Sequence, residues 1–177
     1  MNDAGTHAPQ GPTLAQGVIT LLVVIVVIAI YLVAAFKLEL TQAHLGFFFL
    51  LYWSGVDQAN RARLLPDALG ALVGLGLASA LYALLHGSDP ATGGLIFLAI
   101  SIVLMFVSIM NWLPMLINLS TWLILTVGAY PVVLEKGDFF EMAKGLAFGI
   151  VYFSVIVSAL MFLNEAMNKK KPAIAPA

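Results

Sequence analysis

The chain has 177 residues, of which 62% are hydrophobic and only 10% charged, with a net charge of −1 and a mean hydropathy of +1.01. A soluble domain carries about 25% charged residues, so these charges are too few to cover a water-facing surface, and the near-neutral balance excludes a basic nucleic-acid footprint. The absence of cysteine excludes disulfides, thiol catalysis and Cys-based metal sites.

The first segment, 1–16, is polar and has no Lys or Arg, so it lacks the basic region of a signal peptide. The apolar run that follows is long enough to cross a bilayer and reads as a retained first helix, 17–36. Five further spans are expected at 40–56, 66–86, 93–110, 112–131 and 139–164. Turn chemistry at Asp89-Pro90 and the charged stretch around Gly137 separate them. A tight hairpin around Asn111 and Trp112 is expected between spans four and five. Residues 165–177 form a basic, Pro/Ala-rich tail. The predicted fold class is therefore all-α, a polytopic membrane protein with six transmembrane helices. Continuous apolar runs do not fit the alternating strands of a membrane barrel.

Lys169, Lys170, Lys171, Arg61 and Arg63 fall on one side of such a layout, and Lys37, Lys136 and Lys144 on the other. The positive-inside rule puts both termini in the cytoplasm, in a plasma (inner) membrane.

Segments 47–85 and 120–160 share an order of features. Each has an apolar helix ending at a glycine (Gly55, Gly128), then a charged loop, then a helix opening on a glycine pair. The pairs are Gly70 with Gly74 and Gly145 with Gly149, each followed by a serine, Ser79 or Ser154. Two three-helix repeats, 17–86 and 93–164, are predicted; three crossings being odd, the second is inverted. The four glycines are expected to bring spans three and six together, or to dock a neighbouring subunit.

Span five carries Asn118, Ser120, Thr121 and Thr126, and span two carries Gln42, His44 and Ser54. Ser and Thr can return their hydroxyls to the preceding turn. An amide such as Asn118, placed near mid-span, needs a partner on another helix or in a wet cavity. These seven residues are the candidate pore- or site-lining groups. Tyr52, Trp53, Trp112 and Tyr130 suit an aromatic belt at the headgroups. Asp67 and Glu141 are expected to open helices at the favourable end of the dipole, with Lys144 pairing to Glu141. The histidines His7, His44 and His86 lack metal-ligand spacing, and no nucleotide, hydrolase or protease motif is present. No enzyme activity, metal or cofactor is expected.

The three-plus-three layout looks like the aquaporin and formate-channel plans, although the Asn-Pro-Ala triplet of aquaporins is missing. The pattern of Gly55, Arg61 and Gly70 with Gly128 and Gly145 also resembles small bacterial inner-membrane proteins of unknown function, which carry no residue roles to transfer. The leading expectation is a channel or facilitator for a small neutral solute. The alternative is a non-transporting accessory subunit. A chain of this length has little surplus to enclose a wide site, so a homo-oligomer or a place in a membrane complex is expected, with the lipid bilayer as the general partner.

Overall fold

The computed structural model describes residues 13–87 and 89–169, with the side chains of 164 and 167–169 left aside. The polar N-terminal segment, apart from its last residues, and Lys170 and Lys171 lie outside the described residues. The described chain is all-α: α1 (Leu14–Lys37), α2 (His44–Leu50), a π-helical turn (Leu51–Val56), α3 (Arg61–Gly87), α4 (Pro90–Ile109), α5 (Leu119–Gly128), α6 (Pro131–Lys136) and α7 (Phe139–Lys169). Four of these, α1, α3, α4 and α7, are long and apolar enough to cross a membrane; the stretches His44–Val56 and Leu119–Gly128 are apolar but shorter.

Local chemistry sets the boundaries. Thr13 and Gln16 form a capping box that starts α1. Asp89 caps α4, accepting from the Thr92 amide at 3.1 Å, with Pro90 at the first helical position. Gly137 ends α6 at φ +62, a left-handed conformation that glycine adopts without strain.

Three sequence expectations change at this level. The expected span 66–86 begins earlier, at Arg61, so Pro66 lies inside α3 and Asp67 lies beyond its first turn. The expected span 112–131 is helical only over Leu119–Gly128. Asn118 is therefore the N-cap of α5 rather than a mid-span residue, and 110–118 is a longer connection than a tight hairpin. Third, Trp53 is fully buried and Tyr52 is 4% exposed, so both belong to the core, whereas Trp112 and Tyr130 are each 61% exposed.

Contacts between elements give the bundle two ends. At the first, Arg61 reaches the Ser158 carbonyl at 3.5 Å and the Glu165 carboxylate at 3.9 Å, and Asn118 meets Pro66. At the second, Tyr82 packs on Phe139 and against Gly137. Hence α3 and α5 run in the same direction, and α7 runs opposite to α3. Tyr31 donates to the Ala43 carbonyl at 2.5 Å and Tyr152 to the Val27 carbonyl at 2.8 Å, so α1 packs beside α2 and α7.

Glycines make the tightest of these contacts. A methyl on Gly74 would overlap the Thr121 carbonyl oxygen, and one on Gly149 would overlap the Gly46 Cα. One on Gly70 would strike the Asn118 amide, and one on Gly145 the Gln42 carbonyl. The four glycines thus do not close α3 onto α7: Gly70 and Gly74 receive α5, and Gly145 and Gly149 receive α2.

Two alanine substitutions on one helix check this. Gly74→Ala should cost about 1–3 kcal/mol, because backbone cannot retreat as a side chain can. Gly76→Ala, where nothing lies within 4 Å of the added methyl, should be neutral or stabilise by up to about 1 kcal/mol through helix propensity. Reversible denaturation in detergent micelles reads both.

Candidate functional site

The α3–α5 contact at the first end gathers most of the buried polar side chains among the described residues: Asp67, Asn118, Ser120 and Thr121. The start of α5 explains three of them. Asn118 and Thr121 form a reciprocal capping box: the Asn118 amide donates to Thr121 Oγ1 at 3.1 Å, and the Thr121 amide donates to Asn118 Oδ1 at 3.3 Å. Thr121 Oγ1 also lies 2.8 Å from the Leu116 carbonyl, tying the irregular connection to the helix. The Asn118 side chain then reaches across to α3, where Nδ2 donates to the Pro66 carbonyl at 2.8 Å. Beside it, Ser120 donates to the Asp67 carbonyl at 2.9 Å. Carbonyl oxygens have two lone pairs, so helical carbonyls of α3 can accept these side chains without giving up their place in the helix. Gly70 supplies the room, since a Cβ there would displace the Asn118 amide.

The Asp67 carboxyl is different. It is fully buried, and among the described residues neither oxygen has a hydrogen-bond partner. Its charged neighbours are Asp57 and Arg63, and Tyr52 faces the same three groups. Asp57 is held by Arg63, whose Nε donates to Asp57 Oδ2 at 3.2 Å. The π-helical turn and the positive-φ residues Gln58 and Ala59 carry the chain around this corner, where Trp53 Nε1 donates to the Asn60 carbonyl at 3.0 Å. π-helical turns gather at functional sites more often than elsewhere.

The remaining candidate residues fall elsewhere. Ser54 and Thr126 are exposed and return their hydroxyls to their own helices, to Leu50 and Trp122, at 2.6 and 2.8 Å. Gln42 and His44 come together at the second end, in a cleft of about 170 Å³ that also holds Lys136, Asp138 and Met142. So the seven predicted lining residues divide among a buried α3–α5 seam, two exposed helix faces and an opposite-end cleft. At the start of α7, Lys144 and Glu141 pair at 2.5 Å, the contact their spacing predicts.

No family model, curated protein or solved structure matches this chain in the three comparisons made.

Sequence reading missed Asp57, Arg63 and Asp67 as a group. One signal was available: Asp67 stands three, four and seven residues before Gly70, Ala71 and Gly74, on the face that α3 buries. A charge on that face cannot be a solvated helix cap.

The seam predicts a contrast within α5. Asn118→Ala should cost about 1–3 kcal/mol, because it removes a cap and a cross-helix bond in a buried setting. Thr126→Ala should stay within about 0.5 kcal/mol, as expected of an exposed, locally bonded group. Denaturant titration of the two variants in the same micelle measures the difference.

Proposed function

We propose that the chain is a non-catalytic facilitator for a small, neutral solute, built as two three-helix units of opposite orientation in the inner membrane. The observation that carries this reading is a repeated register of buried positions. On α3 these are Asp67, Gly70, Ala71, Gly74 and Ala78; on α7 they are Met142, Gly145, Leu146, Gly149 and Phe153. One constant shift along the chain relates each member of the first set to its counterpart. The same shift carries Leu45, Gly46, Phe49 and Trp53 of the second segment onto Ser120, Thr121, Ile124 and Gly128 of the fifth. Exchanging the two halves by that shift, forward for Gly46 and backward for Gly149, turns the contact of Gly149 with Gly46 into that of Gly74 with Thr121.

Composition alone gives similar helices; it does not give matched partners in matched register. Two units so related pack as α3 on α5 and α7 on α2, with the direction reversed between them. Inverted halves of this kind recur in transporters, where motion of one unit against the other opens a path. In this reading α2 with the π-helical turn, and α5 with the connection before it, are crossings of only 13 and 10 helical residues, the short interrupted elements that mark such a path. The cleft of Gln42 and His44 serves as one mouth, its polar lining balanced between Lys136 and Asp138. Arg61 and Arg63 favour a cytoplasmic first end.

A second reading, an accessory subunit of a membrane complex, draws on one observation. Asn118, Ser120 and Thr121 spend their donors on protein carbonyls and are buried. Groups so occupied serve as interhelical glue.

Purified protein in liposomes separates the two. Under the facilitator reading, at least one of water, urea, glycerol, ammonium and short-chain acids equilibrates faster than in protein-free liposomes. His44→Trp, which fills the second-end cleft, should slow that solute at least several-fold. Rates equal to those of empty liposomes for every solute would reject the facilitator and leave the accessory role.

A further inference from the structure

The Asp67 carboxyl is the least expected group in the molecule. It occupies a core position of α3, is fully enclosed, and has no donor for either oxygen among the described residues. The other buried polar residues, Asn118, Ser120 and Thr121, all have partners. An ionised carboxylate held this way is strongly disfavoured, because no donor repays its lost hydration. Among the described residues the acidic group it meets is Asp57, itself an acceptor while ionised and already engaged by Arg63. Two carboxyl groups facing each other without a donor can be joined by one shared proton, the arrangement by which paired acids avoid a double charge.

We propose that Asp67 and Asp57 form a proton-binding carboxyl pair at the first end of the bundle, with Arg63 balancing the charge that remains. With the proton present, Asp67 carries the O–H and donates to the Asp57 carboxylate, and Arg63 neutralises Asp57. When the proton leaves to solvent at the first end, Asp67 becomes a buried anion beside another carboxylate. The charged and titratable groups facing the pair are Tyr52 from the π-helical turn and Arg63 from α3 itself, while the uncharged Asn118 and Ser120 of α5 bond the backbone beside it. Arg63 is the one cation among these neighbours and is shared between both acids.

The proton would act on the seam directly. Ser120 donates to the carbonyl of Asp67 and Asn118 to that of Pro66, so the backbone carrying the acid also latches α5. A negative charge enclosed at Asp67 is stabilised by reaching water, which favours opening of the α3–α5 seam that covers it. The pair therefore couples proton occupancy to the fit of one helix against another. It stands on the geometry of α3 and the π-helical turn, whether or not the chain passes a solute.

The test is a pH-difference infrared spectrum of the full chain in lipid bilayers, with Asp67→Asn and Asp57→Asn alongside. The pair predicts a protonated-carboxyl C=O band that shifts in deuterated water and fades as pH is raised. That band should be absent from Asp67→Asn and displaced in Asp57→Asn. Thermal unfolding provides a second readout should a spectrum be obscured. The wild type should lose stability as pH rises, because the folded state keeps a proton that the unfolded state has already lost, and the loss should level off once the folded state releases it. Asp67→Asn, which cannot ionise, should lose this dependence. A wild-type spectrum with no carboxyl band that Asp67→Asn removes, or a pH dependence of unfolding equal in wild type and Asp67→Asn, would overturn the pair.

Discussion

Bare backbone against backbone is the constraint on which this fold rests. In lipid, apolar side chains gain little by leaving the acyl chains for one another, so helices associate through close packing and hydrogen bonds. Glycine allows both. With no Cβ at Gly70 and Gly74, α5 approaches the α3 backbone; with none at Gly145, Gly149 and Gly46, α2 lies against α7. Long helices α1 and α4 expose large apolar side chains along most of their length, as expected of surfaces facing lipid. The inner seams carry the smaller residues.

The close approach decides where polar groups can go. A side chain as short as that of Asn118 reaches an α3 carbonyl only because Gly70 leaves a gap. Once there, it ends the irregular connection, starts α5 and holds two helices together with one amide. The cross-helix bond would fail if the helices stood a methyl group further apart. The same economy of space encloses Asp67, which sits one turn before the glycines on the same face. Its cost is tolerable in the company of Asp57 and Arg63, and it concentrates the only buried acid among the described residues at one end of the bundle.

Much of this was legible in the residues, and the misses have physical reasons. The four long apolar runs, the glycine pairs and the turn at Asp89-Pro90 all announce themselves through length, spacing and backbone chemistry. Hydropathy measures how apolar a segment is and not which face it buries. It therefore extended the fifth span back through Pro114 to residue 112, although Asn118 with Thr121 three residues on is a readable cap. It also placed Trp53 at the headgroups, whereas the π-helical turn rotates that ring inward and gives its N–H the Asn60 carbonyl. Asp67 looked like a helix cap because Pro66 resembled a helix start. Six residues of α3 that precede it, starting at Arg61, are what put its side chain inside. The glycine partners were beyond reach for a different reason: small residues specify closeness, and many helices can come close.

The central claim is that α2 with its π-helical turn, and α5 with the connection before it, carry the chain from one end of the bundle to the other as the four long helices do. The chain has no native cysteine, so single cysteines report position cleanly. The most direct measurement is labelling by a membrane-impermeant thiol reagent in sealed, oriented vesicles, with cysteine placed singly at Arg61, Trp112 and Glu165, and at Leu38, Ala91 and Lys136. The account predicts that the first three label from one side and the last three from the other. Labelling of positions 112 and 136 from the same side would mean that α5 turns back within the bilayer, and would contradict it.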